Sequence, residues 1–123
     1  MQQETTATTP PNKTTITFTE KEMNHCRVII NEMIKSENGQ PFVDKVNEND
    51  YPEYYEMIKQ PMDLTTIRNK LKNKQYENKE QFAYDCRLVF DNCEYFNEDD
   101  SKIGQCGHKL RAYFETKWLK IFD

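Results

Sequence analysis

Residues 91–101 read DNCEYFNEDDS, and this segment decides how the rest of the chain is interpreted. Apolar residues at helical spacing lead into it, so Tyr95, Phe96 and Asn97 fall at the C-terminal end of a predicted helix. We expect these side chains to turn inward and line a pocket. Asparagine carries two N–H donors and a carbonyl acceptor without charge, which suits it to hold an amide group of a ligand. The acidic residues 98–100 favour cationic partners at the pocket mouth.

The composition narrows the class of protein. A chain of 123 residues, of which 12% are aromatic, suits one domain with one hydrophobic core. Its formal net charge of -4 favours a basic protein partner over nucleic acid, because nucleic-acid-binding domains are usually basic. No apolar run is long enough to cross a membrane, so no membrane partner is expected. Residues 1–17 are polar and threonine-rich, lack the apolar core of a signal peptide and are predicted to be a disordered tail.

The cysteines and histidines do not form a metal-site pattern. The four cysteines, at positions 26, 86, 93 and 106, include no C-x-x-C pair, and Cys106 with His108 is too sparse a set for zinc. Without an export signal, the cysteines are interpreted as reduced, buried thiols of an intracellular protein. Cys93 and His108 lack an orienting group for nucleophilic catalysis. We therefore expect no metal, no cofactor and no enzyme activity.

The acidic segment after Asn97 also differs from a calcium-binding loop. Counted from Asn97, Lys102 stands where such a loop needs glycine, and His108 stands where it needs its final glutamate. A solvated loop with a modest steering role toward basic partners is the preferred interpretation.

Four amphipathic helices are predicted from the apolar spacing and the capping residues. The first begins at Thr19, which forms a capping box with Glu22. It is predicted to end at Asn38-Gly39, where the glycine is able to take the left-handed conformation. The other three helices begin at Asp63, at Asn78 and at Ser101 or Asp100.

The fourth helix has an apolar stripe and two glycines. Its predicted inward positions are Ile103, Leu110, Phe114, Trp118 and Ile121 or Phe122. Gly104 and Gly107 lower the helix propensity of this segment but would permit close packing against a neighbouring element.

A connection from Gln40 to Pro61 joins the first two helices. Its three prolines exclude a continuous helix, although Pro52–Lys59 is expected to form a short one. A loop of this length in a compact domain is usually functional. Its apolar residues must pack on something, so we expect it to fold over the bundle. It would then meet the loop between the third and fourth helices at one end, where helical bundles often build sites.

Taken in order, these segments resemble a bromodomain. The resemblance covers residues 18–122, and its segments occur in the family's order and spacing: Pro41-Phe42, Val46, Pro52-Glu53-Tyr54-Tyr55, Ile58-Lys59-Gln60-Pro61-Met62-Asp63-Leu64, Ile67, Asp91-Asn92-Cys93 and Phe96-Asn97. Within the family, residues 90–94, 96–101 and 107–108 look most like the bromodomains of chromatin-remodelling subunits of the "bromodomain adjacent to zinc finger" group.

The resemblance implies an all-α fold, a left-handed four-helix bundle with a long ordered loop between helices one and two. It also implies a site for acetyl-lysine. In that site Asn97 would hydrogen-bond the acetyl carbonyl, and Tyr54 would reach the same oxygen through a water. Ile103 would guard the rim of the pocket. The other lining residues implied by the family are Phe42 and Val46 at the methyl end, with Pro41, Tyr51, Cys93 and Phe96.

By the same resemblance, the chain would be a non-catalytic reader of acetylated histone H3 or H4 tails in the nucleus. We expect a monomeric module of a larger chromatin protein, without direct contact to nucleic acid. Two residues depart from the family pattern. Gln40 stands where the family's aromatic shelf has tryptophan, and Lys45 stands where a proline is usual. Both changes make the shelf more polar.

Two other hypotheses stay open at this point. A helical module that docks a protein partner through its surface would use Asn97 only as a helix cap, since asparagine tolerates the left-handed conformation. A helical hydrolase or metal enzyme would need a triad, metal-spaced carboxylates or a phosphate loop, and the sequence shows none of these patterns. The motif context favours the reader.

Overall fold

A computed structural model describes residues 17–122. Within this range the chain forms five α-helices and one 3-10 helix, with no β-strand. In chain order they are α1 (Glu20–Lys35), the 3-10 helix (Glu37–Phe42), α2 (Pro52–Met57), α3 (Leu64–Lys72), α4 (Lys79–Phe96) and α5 (Lys102–Phe122). The longer helices α1, α3, α4 and α5 pack around one core, and the two short helices lie in the connection between α1 and α3. The predicted all-α bundle with a long ordered loop is confirmed.

The predicted disordered tail falls almost wholly on residues 1–16, which lie outside the described residues, as does residue 123. Thr17, the last residue assigned to that tail, is described, and its N–H donates to the carbonyl of Glu77 at 3.0 Å. Phe18 follows it into the hydrophobic core.

The helix starts follow the predicted capping residues. The N–H of Glu22 donates to Thr19 Oγ1 at 3.1 Å, and the N–H of Thr19 donates to Glu22 Oε1 at 3.0 Å, which completes the capping box. Asp63 caps α3 and Asn78 caps α4 in the same way. Of the two alternatives for α5, Ser101 is the cap, because its Oγ accepts from the N–H of Gly104 at 3.0 Å.

The end of α1 differs from the prediction. The helix ends at Lys35 with Ser36 as its C-cap, and no described glycine has a positive φ. The predicted end at Asn38-Gly39 is therefore wrong, and Gly39 does not use the left-handed conformation. Gly39 lies in the 3-10 helix, where a Cβ would lie 1.8 Å from the carbonyl oxygen of Met33. Glycine stands there because two backbone segments meet, and not because the chain turns left-handed.

Aromatic rings fill the centre of the bundle. Phe82, Phe90 and Phe114 are fully buried, and the ring of Phe114 lies 5.8 Å from that of Phe90 and 5.5 Å from that of Trp118. Complete burial of one such side chain stabilises a fold by roughly 1.5–3 kcal/mol. The inward positions of α5 are thus confirmed at Phe114 and, as a partly buried ring, at Trp118.

Ile103 departs from this stripe, since its side chain is 42% exposed, and its assignment to the inward face is wrong. The residue lies in the first turn of α5, beyond the end of the core.

The close packing expected at Gly104 and Gly107 is confirmed, because both are buried. A Cβ at Gly104 would lie 2.1 Å from the carbonyl oxygen of Glu98, so α5 contacts the α4–α5 loop directly.

One buried carboxylate joins α3 to α4. Asp85 Oδ2 accepts from Lys70 Nζ and from the Tyr76 hydroxyl, each at 2.7 Å. Burial raises the pKa of the Tyr76 hydroxyl, and the neighbouring carboxylate raises it further. The phenol therefore stays protonated and donates to Asp85. These two bonds satisfy a charge that is otherwise costly inside a protein.

We predict that Asp85→Ala lowers the free energy of unfolding by about 1–3 kcal/mol, because the buried Tyr76 hydroxyl loses its acceptor. Urea denaturation followed by circular dichroism measures the change. Asp50→Ala, at an exposed loop position, is the matched control, with an expected effect under about 0.5 kcal/mol. Equal destabilisation by the two substitutions would contradict the role given to Asp85.

Candidate functional site

One end of the bundle holds a cavity of about 240 Å³. Its walls come from the 3-10 helix and the loop after it, from α2, from the chain before α3, from the C-terminal half of α4 and from the start of α5. All nine residues predicted for the site line it: Pro41, Phe42, Val46, Tyr51, Tyr54, Cys93, Phe96, Asn97 and Ile103. Their roles toward a ligand stay predictions.

Asn97 enters this cavity because α4 ends there. The residue is the C-cap of α4, with φ -111° and ψ 149°, so its backbone is extended and not left-handed. Its N–H donates to the carbonyl of Cys93 at 2.9 Å, as in a last helical turn. Asn97 is therefore a helix cap through its backbone and a cavity residue through its side chain.

The side-chain amide of Asn97 is held by one residue. Nδ2 donates to the carbonyl oxygen of Cys93 at 3.2 Å and contacts Cys93 Sγ at 3.8 Å. The carbonyl takes one of the two N–H groups, and sulfur is a weak acceptor that a ligand carbonyl would outcompete for the second. Oδ1 has no hydrogen-bond partner among residues 17–122.

Tyr54 lies on α2, with its ring packed edge-on against Phe96 at 4.9 Å between centroids. The side chain is 8% exposed, and burial raises the pKa of its hydroxyl to about 12. The phenol is thus protonated at neutral pH and able to donate. Within the described part of the chain, this hydroxyl has no hydrogen-bond partner. Buried polar groups are rarely left unpaired, so this hydroxyl marks a place for a ligand or a water.

The neighbouring Tyr55 has a packing role. Its hydroxyl donates to the carbonyl of Val46, which ties the loop after the 3-10 helix to α2. The backbone N–H of Thr65 donates to the carbonyl of Val43 at 3.1 Å and fixes the same loop to α3. Asn92 adds a third tie, because its Nδ2 donates to the carbonyl of Gln60 at 2.8 Å. Asn92 belongs to the Asp91-Asn92-Cys93 segment that carried the family resemblance, and it holds the loop in place. The sequence alone did not reveal this role.

Cys93 forms part of the wall between α4 and α5. Its side chain is 4% exposed, and its thiol donates to the carbonyl of Ile103 at 3.6 Å. Burial raises the pKa of this thiol, while the contact with Asn97 lowers it by a smaller amount. The thiol is therefore protonated at neutral pH and a poor nucleophile.

The exposed residues of the site lie at its mouth. Tyr51 is 52% exposed, and Ile103, which also lines the cavity, is 42% exposed, while its predicted role as a guard of the rim stays a prediction. Tyr95 is 68% exposed, and the expectation that it lines the pocket is wrong. It lies two residues after Cys93, which places it on the opposite side of the helix. Gln40 is also exposed, and its Nε2 donates to the carbonyl of Ile34 at 3.2 Å.

Sequence reasoning missed six lining residues: Asp44, Lys45, Asn47, Pro61, Met62 and Val89. Val89 precedes Cys93 by one helical turn on the same face, a signal that was available. Pro61 and Met62 belong to a segment that carried the family resemblance. The three polar residues are exposed, so they border the mouth and do not place a charge in the interior.

The acidic segment 98–100 is exposed beside this mouth. Asp99 Oδ1 lies 3.3 Å from His108 Nε2, and Glu94 Oε2 lies 3.7 Å from His108 Nδ1. Residues 17–122 contain no group of three or more His, Cys, Asp or Glu side chains placed to hold a metal ion. None of their helices combines the length and apolar character needed to cross a bilayer.

Comparison with known proteins identifies the family and the fold. The bromodomain family model matches residues 26–109 of the chain. The chain belongs to the bromodomain family. The resemblance to the "bromodomain adjacent to zinc finger" group is also confirmed. Protein 2B of that group from Mus musculus is 56% identical over 97 residues, which cover 79% of this chain and 5% of that protein. Human protein 2A is 41% identical over 102 residues, which cover 83% of this chain and 5% of that protein.

Solved structures agree with this assignment. The unbound second bromodomain of Candida albicans Bdf1 is 38% identical with a TM-score of 0.76, and the match covers 83% of this chain and 99% of that one. The bromodomain of human BAZ1A is 28% identical with a TM-score of 0.77, covering 80% and 92% of the two chains. Bromodomains are acetyl-lysine-reading modules of chromatin proteins and are generally not catalysts. This bromodomain spans about 5% of the length of the curated relatives named above.

The burial of the cysteines leads to a test by alkylation. Cys26, Cys86 and Cys93 are buried, and burial raises the pKa of each thiol, to about 12 for Cys26. Cys106 is half-buried, so the prediction that all four thiols are buried is wrong at this residue. Cys106 lies on α5 two residues before His108.

We predict that iodoacetamide at pH 8 labels Cys106 of the native bromodomain at least about tenfold faster than Cys93, because only a thiolate reacts. Peptide mapping by mass spectrometry measures the four rates. In urea, where burial is lost, the four rates should converge. Native labelling of Cys93 as fast as that of Cys106 would contradict the closed wall described for α4 and α5.

Proposed function

We propose that this bromodomain binds acetyl-lysine in the cavity at the end of the bundle and reads acetylated histone H3 or H4 tails. The observation that carries the proposal is that two polar groups with spare hydrogen-bonding capacity, the Asn97 amide and the Tyr54 hydroxyl, line one otherwise largely apolar cavity. Asn97 would donate to the acetyl carbonyl, and Tyr54 would reach the same oxygen through a bridging water.

The apolar walls account for the choice of an acetylated side chain. Phe42, Val46 and Phe96 offer surfaces for the methylene stem and the methyl tip. An unmodified ammonium would lose its hydration there, which costs several kcal/mol unless a charge partner is present. The acidic lining residue Asp44 is exposed to water and cannot act as a buried counter-ion.

The surroundings of the cavity support a basic peptide as the carrier of the mark. Glu98, Asp99 and Asp100 are exposed next to Asn97 and would attract the lysines and arginines of histone tails. A structural relative, the second bromodomain of Candida albicans Bdf1, has been solved bound to an imidazopyridine. That relative, at 39% identity, therefore accepts a small-molecule ligand. We further propose that the chain is a monomeric, non-catalytic module of a larger chromatin protein in the nucleus, and the 5% share that the match covers in its curated relative, protein 2B from Gallus gallus, supports the larger protein.

We predict that Asn97→Ala weakens binding of acetylated H3 or H4 peptides at least about tenfold, because the acetyl carbonyl is left unpaired in an apolar slot at a cost of about 1–3 kcal/mol. Tyr54→Phe should weaken it roughly threefold, since one water-mediated bond is lost. Isothermal titration with acetylated and unmodified peptides measures both effects.

Two matched variants control for non-specific effects of these substitutions. Asn69→Ala lies on the exposed face of α3, and Tyr95→Phe lies at the exposed end of α4, outside the cavity. Both should bind as the unaltered domain does. If acetylated and unmodified peptides bind equally, or if binding survives Asn97→Ala, a surface other than the cavity is responsible and the proposal fails.

The acidic segment generates a second prediction. Replacing Glu98, Asp99 and Asp100 together by Gln, Asn and Asn should slow peptide association by roughly threefold at low ionic strength, because exposed charges act over about one Debye length. The difference should disappear near 0.5 M salt. Stopped-flow fluorescence measures the rates, and an acetylated peptide with neutral flanking residues is the control. An unchanged association rate at low salt would rule out steering by this segment.

A further inference from the structure

Gly107 lies directly behind two walls of the cavity without lining it. A Cβ at this position would lie 2.6 Å from Cys93 Sγ and 3.4 Å from Cys93 Cβ. It would also lie 3.6 Å from Cζ of Phe42. The first distance is shorter than real side chains accept, whereas the contact with Phe42 is an ordinary one. The backbone of α5 therefore approaches α4 as closely as it does only because residue 107 has no side chain.

Cys93 connects Gly107 to Asn97, the residue at the centre of the site. Its carbonyl accepts from both the backbone N–H and the side-chain Nδ2 of Asn97, at 2.9 Å and 3.2 Å. Its thiol contacts the same Nδ2 at 3.8 Å and donates to the carbonyl of Ile103 at 3.6 Å. The thiol thus lies between the amide of Asn97, the start of α5 and Gly107.

We propose that Gly107 is a positioning residue for acetyl-lysine binding, which it supports by letting α5 hold the Cys93 thiol against the amide of Asn97. The inference rests on the function proposed above. A side chain at residue 107 would displace the thiol by several tenths of an ångström, since 3.4 Å or more is an ordinary contact. Cys93 is one of the residues that line the cavity, so the cavity is a space into which the thiol can move. A displaced thiol would fill part of the slot and shift the Asn97 amide, and binding groups tolerate errors of only about 0.5 Å.

The test is a double-mutant cycle on Gly107 and Cys93. The variants are Gly107→Ala, Cys93→Ala and the pair, with free Nε-acetyl-lysine and an acetylated H4 tail peptide as probes. Gly107→Ala should weaken binding of both probes about tenfold. In the Cys93→Ala background the same substitution should change binding less than about twofold, because the atom that clashes is gone. A structural role of Gly107 alone would not produce this dependence on Cys93.

A stability control uses the same helix. Ala112 is exposed on α5 and outside the cavity, so Ala112→Gly lowers helix propensity without touching the site. Its thermal midpoint should fall, while its affinity for both probes stays unchanged. Gly107→Ala should instead lose affinity for both probes, and this loss should be larger than its change in thermal midpoint explains. If Gly107→Ala alone does not fold, the affinity of the double variant is compared with that of Cys93→Ala. Binding by the double variant that is tenfold weaker than binding by Cys93→Ala would overturn the proposal.

The side-chain amide resonances of Asn97 in ligand-free protein give a readout that needs no ligand. They should move in Gly107→Ala and stay in place when the same change is made in the Cys93→Ala background. If the unaltered domain binds neither probe, the proposed function fails, and these resonances still decide whether Gly107 positions Asn97. Unmoved resonances together with unaltered affinity in Gly107→Ala would overturn the inference. An equal effect of Gly107→Ala in both backgrounds would overturn it as well.

Discussion

The end of α4 at Asn97 is the constraint on which the site depends. The backbone of Asn97 is extended, yet its N–H and its Nδ2 both remain bonded to the carbonyl of Cys93. The carbonyl of Cys93, one of the last-turn acceptors that a helix end leaves without an intrahelical partner, is therefore satisfied, and the side chain that follows the last turn is held against that turn. From there the chain crosses residues 98–101, and α5 returns close enough that Gly104 meets the carbonyl of Glu98.

The second requirement of the site is that the long connection stays in one place. Residues 43–63 contain only one short α-helix, so most of their backbone groups need partners other than regular helical bonds. Three loop carbonyls receive such bonds: Val43 from Thr65, Val46 from Tyr55 and Gln60 from Asn92. Each bond joins the loop to a helix. The loop can therefore form a cavity wall without regular secondary structure over most of its length.

The sequence predictions succeeded mainly where the interacting residues lie close together in the chain. The caps at Thr19, Asp63 and Asn78 involve residues three positions apart, so a short segment contains all the information. The prediction at Gly39 failed because the glycine serves an approach to Met33 and not a left-handed turn. The prediction at Tyr95 failed because the exact end of a helix decides which of its last residues turn inward.

The sequence by itself determined the helical segments, their caps, the family and the set of nine residues that meet at one cavity. It did so through local spacing and through a motif shared with relatives. Only the tertiary structure decided which groups contact each other across the bundle. The bond from Asn92 to Gln60, the approach of Gly107 to Cys93 and the Tyr54 hydroxyl, which has no hydrogen-bond partner among residues 17–122, are of this kind. Such contacts depend on how whole helices are placed, and helix placement follows from the packing of the entire core and not from any one segment.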